Sequence, residues 1–75
     1  MNIAEAAKKA LETNGFICRQ DECKFIRIKP TTSPDCCVVY SNGGERSAVR
    51  WNPDVLDLIA DDWQVIDNLE NMERI

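Results

Sequence analysis

The sequence predicts an α+β fold: an N-terminal helix packed on a four- to five-stranded antiparallel sheet, with a short helix before the last strand. Three observations support this prediction. An amphipathic run opens the chain, short β-type runs fill its middle, and a two-residue hairpin signal joins two of these runs. No segment between the strands is long enough for the helical crossovers that parallel neighbours need, so antiparallel pairing is expected throughout.

The first helix is predicted over residues 2–14. Asn2 can cap its first turn, and Gly15 follows Asn14 where a helix needs a left-handed residue to end. Apolar residues recur at three- and four-residue steps, at Ile3, Ala6, Ala7, Ala10 and Leu11. Small side chains on this stripe let another backbone approach closely.

The β-type runs come next. They cover residues 16–19, 25–29, 36–40, 46–51 and 63–66. The run at 36–40 is the most apolar and is expected to be the central strand. Asn42-Gly43 tolerates the positive φ angles of a type I′ turn, so the run at 46–51 is expected to pair back on the one before it.

The second helix is predicted to start at Asn52 as N-cap with Pro53 at the first helical position, where its missing N–H costs nothing. Its buried side is expected to consist of Val55, Leu56, Leu58 and Ile59. Trp63, in the closing strand, is expected to anchor the core. Residues 1–66 then form a single domain, and residues 67–75 are a polar tail that is expected to fray. The alternative is that the tail docks as a helical turn, since Leu69, Met72 and Ile75 recur at three-residue steps.

Charge and composition narrow the classes of partner. The net charge is -4, from 13 acidic and 9 basic residues, which opposes broad attraction to DNA, RNA or anionic lipid. The chain shows no leader of the secretory type, and no run approaches the roughly 18 apolar residues of a membrane span. A cytoplasmic protein is expected, with no membrane partner.

The four cysteines are Cys18, Cys23, Cys36 and Cys37. Cytoplasmic thiols stay reduced, and the spacing of these cysteines differs from that of zinc sites. The adjacent pair would also point to opposite faces of a strand, so that only one thiol could reach a shared metal. The cysteines are expected to be free thiols, with no metal and no cofactor bound.

Catalytic motifs are sparse. The chain has no histidine, which removes the commonest general base near neutral pH and any Ser-His pairing. Asp57, Asp61 and Asp62 form an acidic cluster that is open to a catalytic interpretation, but acids in and after a short helix are usually solvated. The sequence therefore favours a binding protein over an enzyme.

Basic residues suggest one candidate binding surface. Arg46 and Arg50 are four residues apart and would share one face of a strand. Joined by Arg19, Arg27 and Lys29 from other strands, they could meet the phosphates of a compact anionic ligand. The alternative is that each is an ordinary solvated side chain.

The most specific stretch is Trp51-Asn52-Pro53 followed by Asp57-Leu58-Ile59-Ala60-Asp61-Asp62-Trp63, in a chain that begins Met1-Asn2-Ile3 and has an arginine at position 19. Over residues 1–66 the chain resembles a phage protein family of formerly unknown function, some of whose members are Thoeris anti-defence proteins that sequester cyclic-nucleotide immune signals. Many of these relatives have a tryptophan shortly after the arginine matching Arg19, where this chain reads Gln20-Asp21-Glu22-Cys23.

The resemblance implies a phage or prophage protein that holds a cyclic or ADP-ribose-derived nucleotide without altering it. For such a ligand, Arg19, Arg27, Lys29 and Arg50 could neutralise phosphates and Trp51 could stack on a base. The alternative is that Trp51 belongs to the core and the cations are solvated. The small core and the alanine stripe of the first helix, which offers a close-packing surface, favour a homo-oligomer, either a dimer or a tetramer. The resemblance also implies one. The alternative function is a small interaction protein that engages a host protein and binds no small molecule.

Overall fold

A computed structural model describes residues 1–74. The elements in chain order are α1 (Ile3–Thr13), β1 (Phe16–Arg19), β2 (Ile26–Pro30), β3 (Cys37–Ser41), β4 (Glu45–Ala48), α2 (Val55–Ile59) and β5 (Trp63–Ile66). The strands form one antiparallel sheet in the order β4-β3-β2-β1-β5. The predicted α+β class, the N-terminal helix and the short helix before the last strand are confirmed.

Local signals account for both ends of α1. Asn2 accepts a hydrogen bond from the Glu5 backbone N–H at 2.8 Å, and the Glu5 side chain reaches back to the Asn2 N–H. This reciprocal pair is a capping box. At the other end Asn14 adopts the left-handed conformation, with φ 56°. Asparagine tolerates that region, so the residue that ends the helix is Asn14 and not the glycine after it.

The β3–β4 hairpin has the predicted turn. Asn42 and Gly43 both have positive φ angles, 49° and 82°, and the Gly44 N–H donates to the Ser41 carbonyl at 3.0 Å. These are the features of a type I′ turn. β4 ends at Ala48, sooner than the predicted strand.

The apolar run at 36–40 is not the central strand. β3 lies next to the edge strand β4, and the centre of the sheet is β2, which carries Arg27 and Lys29. β2 is central although it carries two cations, because other parts of the chain cover both of these side chains. The prediction had taken the most apolar run to be the central one. Strand order depends on those tertiary contacts and not on how many apolar residues each strand contains.

α1 packs on one face of the sheet, called here the helix face. Its Ala6 and Ala10 are buried against Ile17, Ile28 and Trp63, which form the centre of the core. Trp63 is only 3% exposed, so its predicted role as a core anchor is confirmed. Ala6 and Ala10 are buried in the core of this chain. The alanine stripe is therefore not available to pack against another molecule.

The connection from β4 to β5 crosses from one edge strand of the sheet to the other and contains α2. The predicted cap of this helix is wrong by two residues. Asp54 is the N-cap: its carboxylate accepts from the Asp57 N–H at 2.9 Å, and the Asp57 carboxylate accepts from the Asp54 N–H at 3.1 Å. Asp54 has a carboxylate three residues later, at Asp57, and forms a reciprocal capping box with it. Asn52 has Val55 at the corresponding position, which offers no such partner, so the helix starts at the acidic pair.

The predicted buried side of α2 is also wrong. Val55, Leu56, Leu58 and Ile59 are all exposed, and no residue of the helix is fully buried. The tail differs from expectation as well, because it docks without forming a helix. The Glu73 N–H donates to the Lys24 carbonyl at 2.8 Å, and the Gly43 N–H donates to the Glu73 carbonyl at 3.1 Å.

The corrected cap gives a direct prediction. Asp54→Ala should cost about 1 kcal/mol of unfolding free energy, because it removes a charged acceptor from the first turn of α2. Asn52→Ala, two residues away and outside the helix, should change stability by less than about 0.5 kcal/mol. Urea denaturation of both variants measures the difference, and equal costs would contradict the assignment of the cap.

Candidate functional site

A cavity of about 210 Å³ opens on the helix face, beside the connection that carries α2. Ile26 and Ile28 from β2 contribute apolar lining. Arg19, Glu22, Trp51, Asp54, Asp57 and Trp63 contribute the polar and aromatic lining. The cavity thus joins the end of β1, the turn after it and the segment 51–63 that carries the family resemblance.

Arg19 is held by two carboxylates. Its Nε donates to Asp62 Oδ1 at 2.9 Å, and its Nη1 lies 3.7 Å from Asp57 Oδ1. The hydrogen bond to Asp62 raises the pKa of Arg19 and, reciprocally, lowers the pKa of Asp62 from its usual value. The β1–β5 pairing sets this geometry, since Arg19 stands opposite Trp63, the residue after Asp62.

Asp57 is the polar centre of the site. One of its carboxylate oxygens accepts from the Asp54 N–H and the other faces Arg19, while its backbone carbonyl accepts from Trp63 Nε1 at 2.8 Å. A single aspartate therefore connects the start of α2 to β1 and β5. The sequence cluster of Asp57, Asp61 and Asp62 gave no sign of this role, because the partner arginine lies in a distant part of the chain.

Two tryptophans form the aromatic part of the site. The rings of Trp51 and Trp63 meet edge to face, with centroids 5.7 Å apart and an interplanar angle of 77°. The Trp51 backbone N–H donates to the Cys37 carbonyl at 2.9 Å, which ties this part of the connection to β3. Trp51 is only partly buried, so its ring retains surface toward the cavity.

The charges around the cavity are mainly negative. Among the described residues that line it, Arg19 is the one cation and Glu22, Asp54 and Asp57 are three carboxylates. Carboxylate oxygens accept hydrogen bonds from hydroxyl and amino groups and repel phosphate. The interior is therefore suited to the donor groups of a sugar or a base.

The predicted cationic stripe does not form. Arg27 lies on the opposite face of the sheet and is 5% exposed, where it donates to the carbonyls of Cys23 and Asn68, each at 2.9 Å. Burial lowers its pKa. Lys29, also on that face, donates to the carbonyl and side chain of Asn14 and stands 4.9 Å from the centre of the Phe16 ring. Both cations serve the packing of the chain.

Arg50 also lies apart from the cavity. It has φ 54°, its N–H donates to the Asp35 carbonyl at 2.9 Å, and its Nε donates to the Pro34 carbonyl at 3.4 Å. Arg46, its predicted companion, pairs with Asp35 at 3.1 Å. Of the five predicted ligand-binding residues, only Arg19 and Trp51 meet in the cavity.

The prediction of four free thiols is wrong for two of them. Cys18 and Cys23 form a disulfide, with their Cα atoms 5.1 Å apart. The turn after β1 folds back, with the Glu22 N–H donating to the Arg19 carbonyl at 2.9 Å, and so brings Cys23 to Cys18. The cellular compartment of a chain does not reveal which of its cysteines lie close together in the fold. Cys36 is a free, exposed thiol, and burial raises the pKa of the free Cys37 thiol.

Residues 1–74 offer no metal site and no membrane-spanning helix. No group of three or more Cys, Asp or Glu side chains in this part of the chain is arranged to hold a metal ion. No helix within the same residues is long and apolar enough to cross a bilayer.

The fold and cavity define a small one-sheet α+β domain with an acidic and aromatic pocket beneath a crossing connection. Residues 1–66 match the family described as Thoeris anti-defense 2-like domain, and the chain belongs to this family. Membership supports a Thoeris anti-defence role, of the kind that phage proteins perform. No curated protein and no solved structure matches the chain.

Proposed function

We propose that this protein acts against Thoeris defence by binding a cyclic or ADP-ribose-derived nucleotide signal and holding it without altering it. The observation that supports this proposal is the cavity itself. Its lining includes Trp51, Asp54, Asp57 and Trp63, all from the segment that carries the family pattern, together with Arg19. The pocket thus draws on the most distinctive part of the sequence.

The size of the cavity limits which part of a nucleotide enters it. Its volume of about 210 Å³ falls below the roughly 300–1,000 Å³ of pockets that enclose drug-sized ligands. One base or one ribose fits such a space, and a complete cyclic dinucleotide-sized ligand does not. The remainder of the signal would lie across the mouth.

The polar groups favour the sugar or base as the part that enters. Glu22 and Asp54 offer carboxylate oxygens to ribose hydroxyls or to an exocyclic amino group, while Trp51 offers an aromatic surface for a base. Arg19 already has two carboxylate partners, but 28% of its side chain is exposed. That exposed part can contact a phosphate at the mouth.

Calorimetry and thermal denaturation with purified cyclic ADP-ribose isomers test the proposal. Ligand at one hundred times its dissociation constant should add about 2.7 kcal/mol of stability. Heat denaturation of the complex should then release the ligand chemically unchanged. No binding at high micromolar ligand would refute the proposal, and recovery of a hydrolysed product would make the protein an enzyme.

A matched pair of variants locates the site. Arg19→Gln removes the cation that lines the cavity and should weaken binding by about tenfold, which corresponds to about 1.4 kcal/mol. Arg46→Gln also breaks an arginine–aspartate pair, with Asp35, but this pair does not line the cavity. It should leave the affinity unchanged. Equal losses in the two variants would place the binding site elsewhere.

A further inference from the structure

Arg27 is a buried cation with no carboxylate partner among residues 1–74. It donates to two backbone carbonyls, those of Cys23 and Asn68, and it belongs to none of the ion pairs in this part of the chain. A buried charge without a counter-ion costs stability, and an apolar side chain of similar size is often at least as stable in its place. Packing alone therefore does not explain why an arginine stands here.

The two acceptors of Arg27 lie in different parts of the chain. Cys23 belongs to the turn of residues 20–25 between β1 and β2, and Asn68 belongs to the tail. A planar guanidinium carries five N–H donors in a fixed fork, so it can hold two separate carbonyls at once. Arg27 thus ties the turn to the tail.

The tail adds a second contact to the same turn. The Glu73 N–H donates to the Lys24 carbonyl at 2.8 Å. Cys23 and Lys24, whose carbonyls are held in this way, are the two residues that follow Glu22, and Glu22 lines the cavity. Contacts made outside the cavity therefore fix the backbone beside one of its carboxylates.

Glu22 is the cavity carboxylate that depends most on its backbone. Asp54 and Asp57 hold each other's N–H groups in the capping box, and Asp57 also faces Arg19. Within residues 1–74 the Glu22 carboxylate has neither a hydrogen bond nor an ion pair. It is available to accept from a ligand, and the turn alone sets its direction.

We propose that Arg27 is a positioning residue of the cavity: by holding the turn after β1, it directs the Glu22 carboxylate toward the hydroxyl or amino donors of the ligand. This inference rests on the proposed function, which supplies a ligand from which Glu22 accepts. Arg27 does not line the cavity, so it acts on the ligand only through the turn.

Calorimetry with purified cyclic ADP-ribose isomers, on Arg27→Met and Lys29→Met as a matched pair, tests this role. Both residues are cations on the same face of β2, but Lys29 donates to Asn14 and not to the turn or the tail. Arg27→Met loses both hydrogen bonds and should weaken binding by about tenfold. Lys29→Met should leave the affinity unchanged, and equal losses in the two variants would overturn the proposal.

A double-mutant cycle with Glu22→Ala shows whether Arg27 acts through Glu22. In a chain that already lacks the carboxylate, Arg27→Met should change the affinity by less than about twofold. Its effect on stability in urea should be the same in both backgrounds, since the bonds that it removes do not involve the Glu22 side chain. An equal loss of affinity in both backgrounds would show that Arg27 serves only the fold, against the proposal.

Amide hydrogen exchange tests the hold on the turn without a ligand. The Phe25 and Ile26 N–H groups donate to the Glu22 carbonyl, and in Arg27→Met both should exchange faster relative to the Trp51 N–H than in wild type. Glu73→Pro removes the N–H that Lys24 accepts, at an exposed position, and should have the same effect even if Arg27→Met fails to fold.

The two kinds of measurement separate failure of this inference from failure of the proposed function. Turn amides that exchange as in wild type in both variants would overturn the role of Arg27, whatever the protein binds. A wild type that binds none of the nucleotides would refute the proposed function, and with it the role of Arg27 toward a ligand.

Discussion

Trp63→Ala is expected to cost about 3–5 kcal/mol of unfolding free energy, as truncation of a large buried aromatic does. Trp63 is 3% exposed and packs with Ala6, Ala10, Ile17 and Ile28 at the centre of the core. A domain of this size has a core that supplies only roughly 3–5 kcal/mol. A large fraction of the molecules should therefore be unfolded in the absence of denaturant, as urea titration would show.

Two further variants distinguish the effect of burying the Trp63 ring from the effects of its hydrogen bond and of its contact with Trp51. Trp63→Phe keeps an aromatic ring but leaves the Asp57 carbonyl without the indole donor, so it should cost less than the alanine change. Trp51→Ala removes the other ring of the edge-to-face pair, which is only partly buried, and should also cost less. A Trp51→Ala cost equal to that of Trp63→Ala would show that the core is centred elsewhere.

The parts of the fold that were predicted correctly are those set by neighbours in the chain. The capping box of α1 needs only Asn2 and Glu5, and the type I′ turn needs only Asn42 and Gly43. Each of the five predicted strands begins within one residue of the observed one. Period-two alternation indicated the run at 25–29, and residue type and the hairpin signal indicated the others. Such signals depend on backbone preferences that act over three or four residues.

Most of the errors concern choices made by distant contacts. The cap of α2 is the exception, because its capping box joins Asp54 and Asp57, which are three residues apart. α2 is only five residues long, too short for its apolar spacing to specify which side is buried. Its orientation follows from Asp57 meeting Arg19 and Trp63, which come from β1 and β5. The position of β2 at the centre of the sheet likewise depends on partners for Arg27 that lie at 23 and 68.

The sequence predicted only part of the candidate site, because contacts between distant parts of the chain also decide which residues line it. Arg19 and Trp51 are in the cavity, but the register of β1 and β2, with Ile17 opposite Ile28, places Arg19 on the helix face and Arg27 on the other. A shift of one residue in a strand exchanges the two faces. Of the three lining carboxylates, the sequence singled out only Asp57, within a cluster that was weighed as catalytic. Its meeting with Glu22, from the turn after β1, depends on the fold.

The second large effect is expected from reduction of the Cys18–Cys23 disulfide. In the chain-entropy description, a bond that closes so short a loop raises the free energy of the unfolded chain by about 2 kcal/mol and so stabilises the fold. The two cysteines are five positions apart. Adding a reductant such as dithiothreitol should therefore lower the melting temperature by about 8–16 °C for a domain of this size.

The two free thiols provide the control for this result. A Cys36→Ser/Cys37→Ser variant should show the same shift on reduction, and a Cys18→Ala/Cys23→Ala variant should show none. A shift that is lost in the Cys36→Ser/Cys37→Ser variant and kept in the Cys18→Ala/Cys23→Ala variant would place the redox-sensitive bond elsewhere.

The position of the bond extends its effect to the cavity. The bridged segment contains Arg19 and Glu22, and Cys18 itself lines the cavity. Reduction frees the turn that carries Glu22, while Arg19 keeps its hydrogen bond to Asp62. Adding reductant should therefore lower the ligand affinity of the wild type. The decrease should be smaller in the Glu22→Gln variant, because that variant has already lost the carboxylate that the turn positions. Equal falls would show that the disulfide acts on the stability of the whole fold and not through the placement of Glu22.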